Sequence, residues 1–448
     1  MNKKTFNIVS LGCAKNTVDS DSMAQLLIKS GYKSAANPDQ AGVLIVNTCG
    51  FISIAKEESR SVLAELAAKK KPGQLLIAAG CLTQRYGKDA APGVPGIDGI
   101  IGTRRWMDIA ALVEGLQGGN RPVPRYELPE VKTGDSDEHG ALRVSVQGAS
   151  AYLKIADGCR RPCAFCAIPL IKGTAVSRPV EVILAEARDL EAAGVREINL
   201  IAQDTTDYGQ DLGMTNGLAQ LLKKLTAAAP QVDWLRVLYA YPGSVTDELI
   251  EVMAGEKQVV KYLDMPLQHA HPAVLRRMKR PTDVDWVYKT VEKMRKTIPG
   301  LALRTTFIVG YPGETDAQFQ TLLDFVGEMR FDKVGVFQYS FEPGTAAEPL
   351  GDPVPREVKG ERFRMLMEKQ QIISLERNKT FVGRKLDVLL EGFGQGVSIG
   401  RSYRDAPEID GLVLVKGEIH SGQIIPVRID EALEYDLKGT AVTKKKSK

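Results

Sequence analysis

The segment 157-DGCRRPCAFCAIPLIKG-173 sets Cys159, Cys163 and Cys166 in a C-x3-C-x2-C spacing on one short loop. Three thiolates this close in sequence can hold three irons of a 4Fe–4S cluster, which usually takes four cysteines, and leave the fourth iron open for another ligand. Arg160 and Arg161 inside the loop are expected to favour thiolate formation and to offset the anionic cluster. A structural zinc loop is the competing reading. Zinc asks for four ligands in paired Cys or Cys/His knuckles, and no histidine lies nearby.

The other three cysteines, Cys13, Cys49 and Cys81, are far apart in sequence but alike in setting. They occur as SLGC, NTCGF and AAGCL, each after a run that reads as a β-strand and each beside a glycine. Loops after the strands of an open parallel sheet share one rim, so the three can converge and hold a second cluster. A lone cysteine is more often a small buried hydrophobe, and that alternative stands for each one taken singly. Six cysteines also invite a disulfide framework, but such frameworks belong to small secreted chains. The run ending in Leu11-Gly12-Cys13 resembles a lipoprotein processing site. Its apolar stretch, Phe6 to Leu11, is short and contains Asn7 and Ser10, so export is not expected and a cytoplasmic protein is.

These residues need elements to position them, and 448 residues are enough for about three domains. Residues 1–117 alternate strand-like segments (7–11, 43–47, 75–79, 97–101) with helical ones such as 54–70, which predicts an open parallel α/β sheet. Residues 118–140, rich in Gly, Pro and charge, read as a linker. Between 141 and 376 six longer β/α units predict a partial or full parallel barrel, with strands near 151–156, 197–202, 234–239, 260–265, 303–309 and 333–339. Residues 377–442 turn to short glycine-punctuated strands (386–390, 397–403, 412–416, 424–429), as in a small β-barrel. Residues 443–448 form a basic tail. No apolar run approaches the ~18 residues of a membrane helix. The net charge of +4 includes four tail lysines, so charge alone does not call for nucleic acid. Gly115–Gly119 lacks the Lys-Ser/Thr of a phosphate loop.

The C-x3-C-x2-C loop, with Phe165 before its last cysteine and a predicted barrel behind it, resembles the radical S-adenosylmethionine (SAM) superfamily. The resemblance implies that SAM occupies the open iron and is cleaved to a 5′-deoxyadenosyl radical. SLGC, NTCGF and GC ahead of that barrel, with a TRAM-type β-barrel after it, make nearly the whole chain similar to the methylthiotransferases. That family implies two 4Fe–4S clusters, Cys13, Cys49 and Cys81 holding the one that carries the transferred sulfur, and Cys159, Cys163 and Cys166 the one that chelates SAM. The segments 10-SLGCAKNTVDSD-21, 166-CAIPLIKG-173, 201-IAQDTTDYG-209, 266-PLQHAHPAVLRRMKR-280, 305-TTFIVGYPGET-315 and 400-GRSYRDAPEIDG-411 resemble the protein-modifying branch, called RimO. That branch implies methylthiolation of the β-carbon of an aspartate in small-subunit ribosomal protein S-twelve, the alternative being a tRNA adenosine. It further implies the small ribosomal subunit, an electron donor protein and a sulfur source as partners, with nucleic acid not the expected substrate. Ala14 stands where proline is frequent, Asp21 where glutamate is, and Pro343 replaces a usual glutamate, which puts any contact by that side chain in doubt.

Inside the barrel, Gln203 and Asp204 end one predicted strand, Gln268 and His269 another, and Arg304, Thr305 and Thr306 lie on a third. Strand C-termini are where a barrel holds its ligand, so Gln203, Asp204, Gln268, Arg304 and Thr306 are expected SAM or substrate contacts. Gly310 and Gly313 of 310-GYPGE-314 join them, since glycine allows close backbone approach. Each polar group could equally be a satisfied barrel-filling one. His271 and His420 receive no role, and no catalytic side chain is assigned. From 380 to 440 seven Lys+Arg face ten Asp+Glu. An anionic small barrel disfavours phosphates and suits a basic protein, unless Asp405, Glu408 and Asp410 merely solvate a turn.

Overall fold

The computed structural model describes residues 4–90, 94–118, 125–128 and 140–442. Its first sheet is parallel throughout, built on Thr5–Ser10, Val43–Thr48, Leu75–Gly80 and Gly99–Gly102. Val43–Thr48 and Leu75–Gly80 are buried along their whole length, which is why they read as continuous apolar runs rather than alternating ones. The helices Ala14–Lys29 and Ile109–Gln117 cover one face through Met23, Leu27, Leu112 and Val113. Leu63 of the helix Ser53–Lys69 covers the other. Two short edge strands complete the sheet, Lys33–Ser34 and Arg125–Glu127. The second falls inside the stretch expected to be a linker; at three residues it is too short to leave a periodic pattern. The rest of that stretch between 119 and 139, apart from 125–128, and the basic tail 443–448 lie outside the described residues.

Six parallel strands form the second sheet: Ser150–Lys154, Glu197–Ile201, Trp234–Val237, Val259–Asp264, Ala302–Val309 and Lys333–Gln338. Each lies within two residues of its expected place. Val144–Gln147 pairs antiparallel with the first of them, and the sheet does not close, so the barrel is partial. Its outer face packs on helices through a large apolar core. On the inner face Tyr152, Trp234, Tyr262 and Ala302 meet Ala14 and Val18 of the first sheet's leading helix, and Leu389 and Ala406 of the last domain. Neighbouring domains thus fill part of the half-barrel's concave side.

The 24-residue helix Arg356–Lys379 leads to a closed five-stranded barrel. Four strands stand where expected, at Lys385–Gly394, Val397–Ser402, Val413–Lys416 and Ile424–Ala432. The fifth, Leu437–Ala441, pairs parallel with Val413–Lys416 and antiparallel with Ile424–Ala432, and so removes both edges. This domain is fastened to the half-barrel by buried charge. Glu197 accepts from Arg236 at 2.9 Å and Arg401 at 2.5 Å. Asp405 pairs with Lys333 at 2.7 Å, and Asp410 accepts from the Tyr262 hydroxyl at 2.7 Å. At Asp405 and Asp410 the acidic segment 405–411 is therefore neither a solvated turn nor an open anionic face. Asp405 and Asp410 are spent on the chain's own cations and hydroxyls, and only Glu408 of the three is exposed. Among the described residues no helix is long and apolar enough to cross a membrane.

Candidate active site

Cys13, Cys49 and Cys81 follow the ends of three adjacent strands, held in register by the pairs Ser10↔Asn47 and Thr48↔Gly80. Glycine beside each cysteine has a steric reason. Gly12, at φ +92°, would put a Cβ 2.9 Å from the Cys49 Cβ, and Gly80, at φ +101°, one 2.3 Å from Asn47 Oδ1. Asn16 ties the three loops together. Its amide donates to the carbonyls of Leu11 (2.8 Å) and Thr48 (3.0 Å), and its Oδ1 lies 3.6 Å from the Cys81 sulfur. Nothing in the cysteine spacing points to Asn16, which sequence reasoning missed. Cys13 is exposed, while burial pushes the Cys49 and Cys81 thiols up.

The second trio sits on the loop after Ala156–Asp157. Backbone N–H groups of Arg161 and Ile168 donate to the sulfurs of Cys159 and Cys166, each at 3.4 Å. Burial lifts Cys159 to about 11 and Cys166 to about 12, which disfavours the thiolate in the metal-free chain. Arg161 opposes that rise at Cys159, through its backbone N–H and its charge, but the guanidinium groups of both loop arginines are held by aspartates. Arg160 donates to Asp207 at 2.7 Å and Arg161 to Asp204 at 2.6 Å. The arginine that does reach a thiol is Arg280, whose Nη1 is 3.5 Å from the Cys163 sulfur although 117 residues separate them. Among the described residues no three Cys, His, Asp or Glu side chains converge tightly enough to chelate a single ion. Each trio offers three thiols without histidine, and the second adds N–H donors aimed at sulfur, a set that fits the corners of an iron–sulfur cluster.

Residues from the loops of both trios line a cavity of about 250 Å3. Phe51 and Ile52, just after Cys49, form one wall, and Phe165, between Cys163 and Cys166, forms another. Ile308 and Phe337 extend its apolar lining, while Gln268 and Thr306 supply polar groups. Gln268 adopts φ +75° and donates its backbone N–H to the Thr306 carbonyl at 2.8 Å. Gln203 donates to Asp157 at 3.0 Å, and its buried Oε1 has no partner. Asp204 caps the turn Thr205–Asp207 and holds Arg161. Arg304 lies 3.0 Å from Asp264 and 3.5 Å from Asp410, and it donates to the Thr306 hydroxyl at 3.3 Å. Gly310 donates to Glu314 at 2.8 Å, and the Gly313 carbonyl accepts from Arg277 at 3.0 Å, so both serve the turn beside the cavity. Burial holds His269 at about 3 and therefore neutral; His271 caps the helix Pro272–Arg277, and His420 packs edge-on against Phe393.

Two buried ionic clusters clamp the first sheet onto the half-barrel. Asp19 accepts from Arg143 and Lys154 at 2.5 Å and Lys172 at 2.9 Å, and Asp157 takes both lysines at 3.0 Å. On the other side Glu342, 2% exposed, holds Lys56 at 2.8 Å and Arg85 at 2.6 Å. At Pro343 the side-chain contact left in doubt is replaced by the backbone, whose carbonyl accepts from Arg85 at 2.8 Å.

Three family models match the chain. Residues 153–326 match the radical SAM superfamily, residues 5–102 the uncharacterized protein family UPF0004, and residues 382–442 the TRAM domain. A protein of Chloroflexus aurantiacus described as ribosomal protein uS12 methylthiotransferase RimO is 48% identical, over 98% of this chain and all of its own. Proteins of the same description from Herpetosiphon aurantiacus and a Thermoanaerobacter species are 47% and 43% identical, covering 98% and 97% of this chain and 100% and 99% of theirs. Among solved structures, the radical SAM methyltransferase TsrM of Kitasatospora setae, with cobalamin and a [4Fe-4S] cluster bound, superposes with a TM-score of 0.57 at 13% identity. That match covers 78% of this chain and 74% of TsrM. The cobalamin-dependent radical enzyme OxsB gives 0.52 at 13% identity, over 83% of this chain and 56% of its own. At those identities the likeness is one of fold.

Proposed function

From the family to which this chain belongs, the ribosomal protein uS12 methylthiotransferases, we infer that it adds a methylthio group to the β-carbon of an aspartate in uS12. It is a radical SAM methylthiotransferase whose cofactors are two 4Fe–4S clusters and SAM. In this reading Cys13, Cys49 and Cys81 hold one cluster, and Cys159, Cys163 and Cys166 hold the other. When bound, these groups supply a radical that removes hydrogen from carbon and the sulfur that replaces it. The C–H bond at such a carbon is not acidic enough for a base at neutral pH, which is the chemical reason for a radical route.

The chain's own residues then have three tasks. Phe51, Ile52, Phe165, Ile308 and Phe337 keep water out of the space where a radical would otherwise be quenched. Gln203, Gln268 and Thr306 are the proposed direct contacts to SAM or substrate. Asp204 acts through Arg161, Arg304 through Thr306, and Gly310 and Gly313 set the turn that shapes the site. The Asp19 and Glu342 clamps hold the domain that carries the first trio against the half-barrel that carries the second. That cavity, lined both by Phe51 and Ile52 of the Cys49 loop and by Phe165 of the barrel's cysteine loop, more than a hundred residues further along the chain, is the observation that carries the reading. An electron donor protein and a sulfur source complete the proposed partners, in a cytoplasmic setting.

Mass spectrometry after anaerobic reconstitution with iron, sulfide, SAM and a reductant tests it, with a uS12 peptide and unmodified tRNA competing in one tube. A methylthio mass gain on the peptide alone is expected. Gain on the tRNA would overturn the substrate, and gain on neither with SAM still cleaved would leave the barrel chemistry standing without it.

A further inference from the structure

Arg280 is buried, 8% exposed, yet among the described residues no carboxylate pairs with it. Its Nη2 donates to the Pro266 carbonyl, its Nη1 faces the Cys163 sulfur at 3.5 Å, and its Nε has no partner. The guanidinium stacks on the Tyr241 ring at 4.2 Å, and Arg161 lies at the same 4.2 Å from that ring. Arg161 differs in having its own counter-ion, Asp204. A buried cation without an anion is costly, and stacking on one phenol offsets little of that cost. The sulfur that it faces, Cys163, is one of the three that hold the barrel cluster in the proposed function.

We propose that Arg280 is the built-in counter-cation of the cluster on Cys159, Cys163 and Cys166, a positioning residue that donates an N–H···S bond to Cys163. The inference rests on the reading of that trio as a cluster site. Hydrogen bonds and positive charge at the ligand sulfurs favour the more negative, reduced cluster and raise its potential. The same arrangement makes Arg280 a liability in the metal-free chain and an asset in the loaded one. A merely structural arginine, holding Pro266 and Tyr241 together, would stabilise both.

The test uses the full chain with Cys13, Cys49 and Cys81 changed to alanine, so that only the barrel cluster forms, and compares it with the same chain carrying R280Q or R280K. Metal-free melting temperatures, cluster release to a chelator and the cluster's midpoint potential are measured for each. R280Q is expected to raise the metal-free melting temperature, speed release several-fold and lower the potential. R280K, which keeps charge but loses the planar donor, is expected to fall between. An unchanged potential, or R280Q melting lower in both forms, would overturn the proposal. So would a raised KM for SAM at constant potential, which would assign Arg280 to the co-substrate. If the Arg280-containing chain takes up no cluster at all, the failure belongs to the cluster reading itself.

Discussion

Cys163 and Cys81 belong to different trios, and removing either sulfur should have a different consequence. Cys163→Ala leaves the first trio whole, so iron per chain should fall from about eight to about four atoms. SAM cleavage, read as 5′-deoxyadenosine by chromatography, should then disappear; cleavage that persisted would sink the assignment of the barrel trio. Gly12 makes the reciprocal case. Its positive φ and its 2.9 Å approach to the Cys49 Cβ leave no room for a methyl group. Gly12→Ala should therefore strain the loop by about 1–3 kcal/mol and cost the first cluster. Iron analysis should show that loss with SAM cleavage retained.

Among elements, the decisive contact is between the helix Ser53–Lys69 and the loop carrying Glu342. Lys56 and Arg85 reach Glu342 from the first sheet, with side-chain exposures of 9% and 4%. Glu342→Gln leaves two buried cations short of their anion, and such losses cost about 3–5 kcal/mol. Urea denaturation should show that loss. Arg85 keeps the carbonyls of Gly50 and Pro343, which places the expectation at the lower end. The kinetic signature is more specific than the stability. In the proposed function SAM cleavage draws on the half-barrel's cysteines alone, whereas transfer also requires the first sheet docked against it. The ratio of 5′-deoxyadenosine to methylthiolated product should therefore rise in this variant, and an unchanged ratio would show that the clamp does not govern docking.

For the whole molecule, Glu197 is one of the buried charges that hold the terminal β-barrel on the half-barrel. Arg236 and Arg401 outweigh the burial that opposes its charge and hold its carboxyl at about 2, below the ordinary 4.5. A depressed carboxyl stabilises the folded state above its unfolded value. That contribution is lost as pH falls from about 4.5 through about 2. The docked terminal domain should accordingly loosen across that window, seen as increased amide hydrogen exchange around Tyr403 and Arg404. Glu197→Gln should be less stable at neutral pH and flatter across the window; an unaltered acid profile would exclude Glu197 as the group that titrates. Because this contact is buried, salt should affect it little.

Much of the molecule is determined by local chemistry that needs no tertiary context. Apolar runs bounded by turns specify the strands, glycines beside Cys13, Cys49 and Cys81 mark tight strand ends, and the C-x3-C-x2-C spacing confines three thiols to one loop whatever surrounds it. The short strands Arg125–Glu127 and Leu437–Ala441 escaped because pairing with a neighbour, not periodicity, makes them strands. Charges were the least legible. Arg160 and Arg161 lie beside the cysteines yet face aspartates, while Arg280, far along the chain, faces Cys163. Asp405 and Asp410 look like a surface and are a buried seam. An ionic partner is chosen by distance in space and by exclusion of water, and both come into being only when the three domains close on one another.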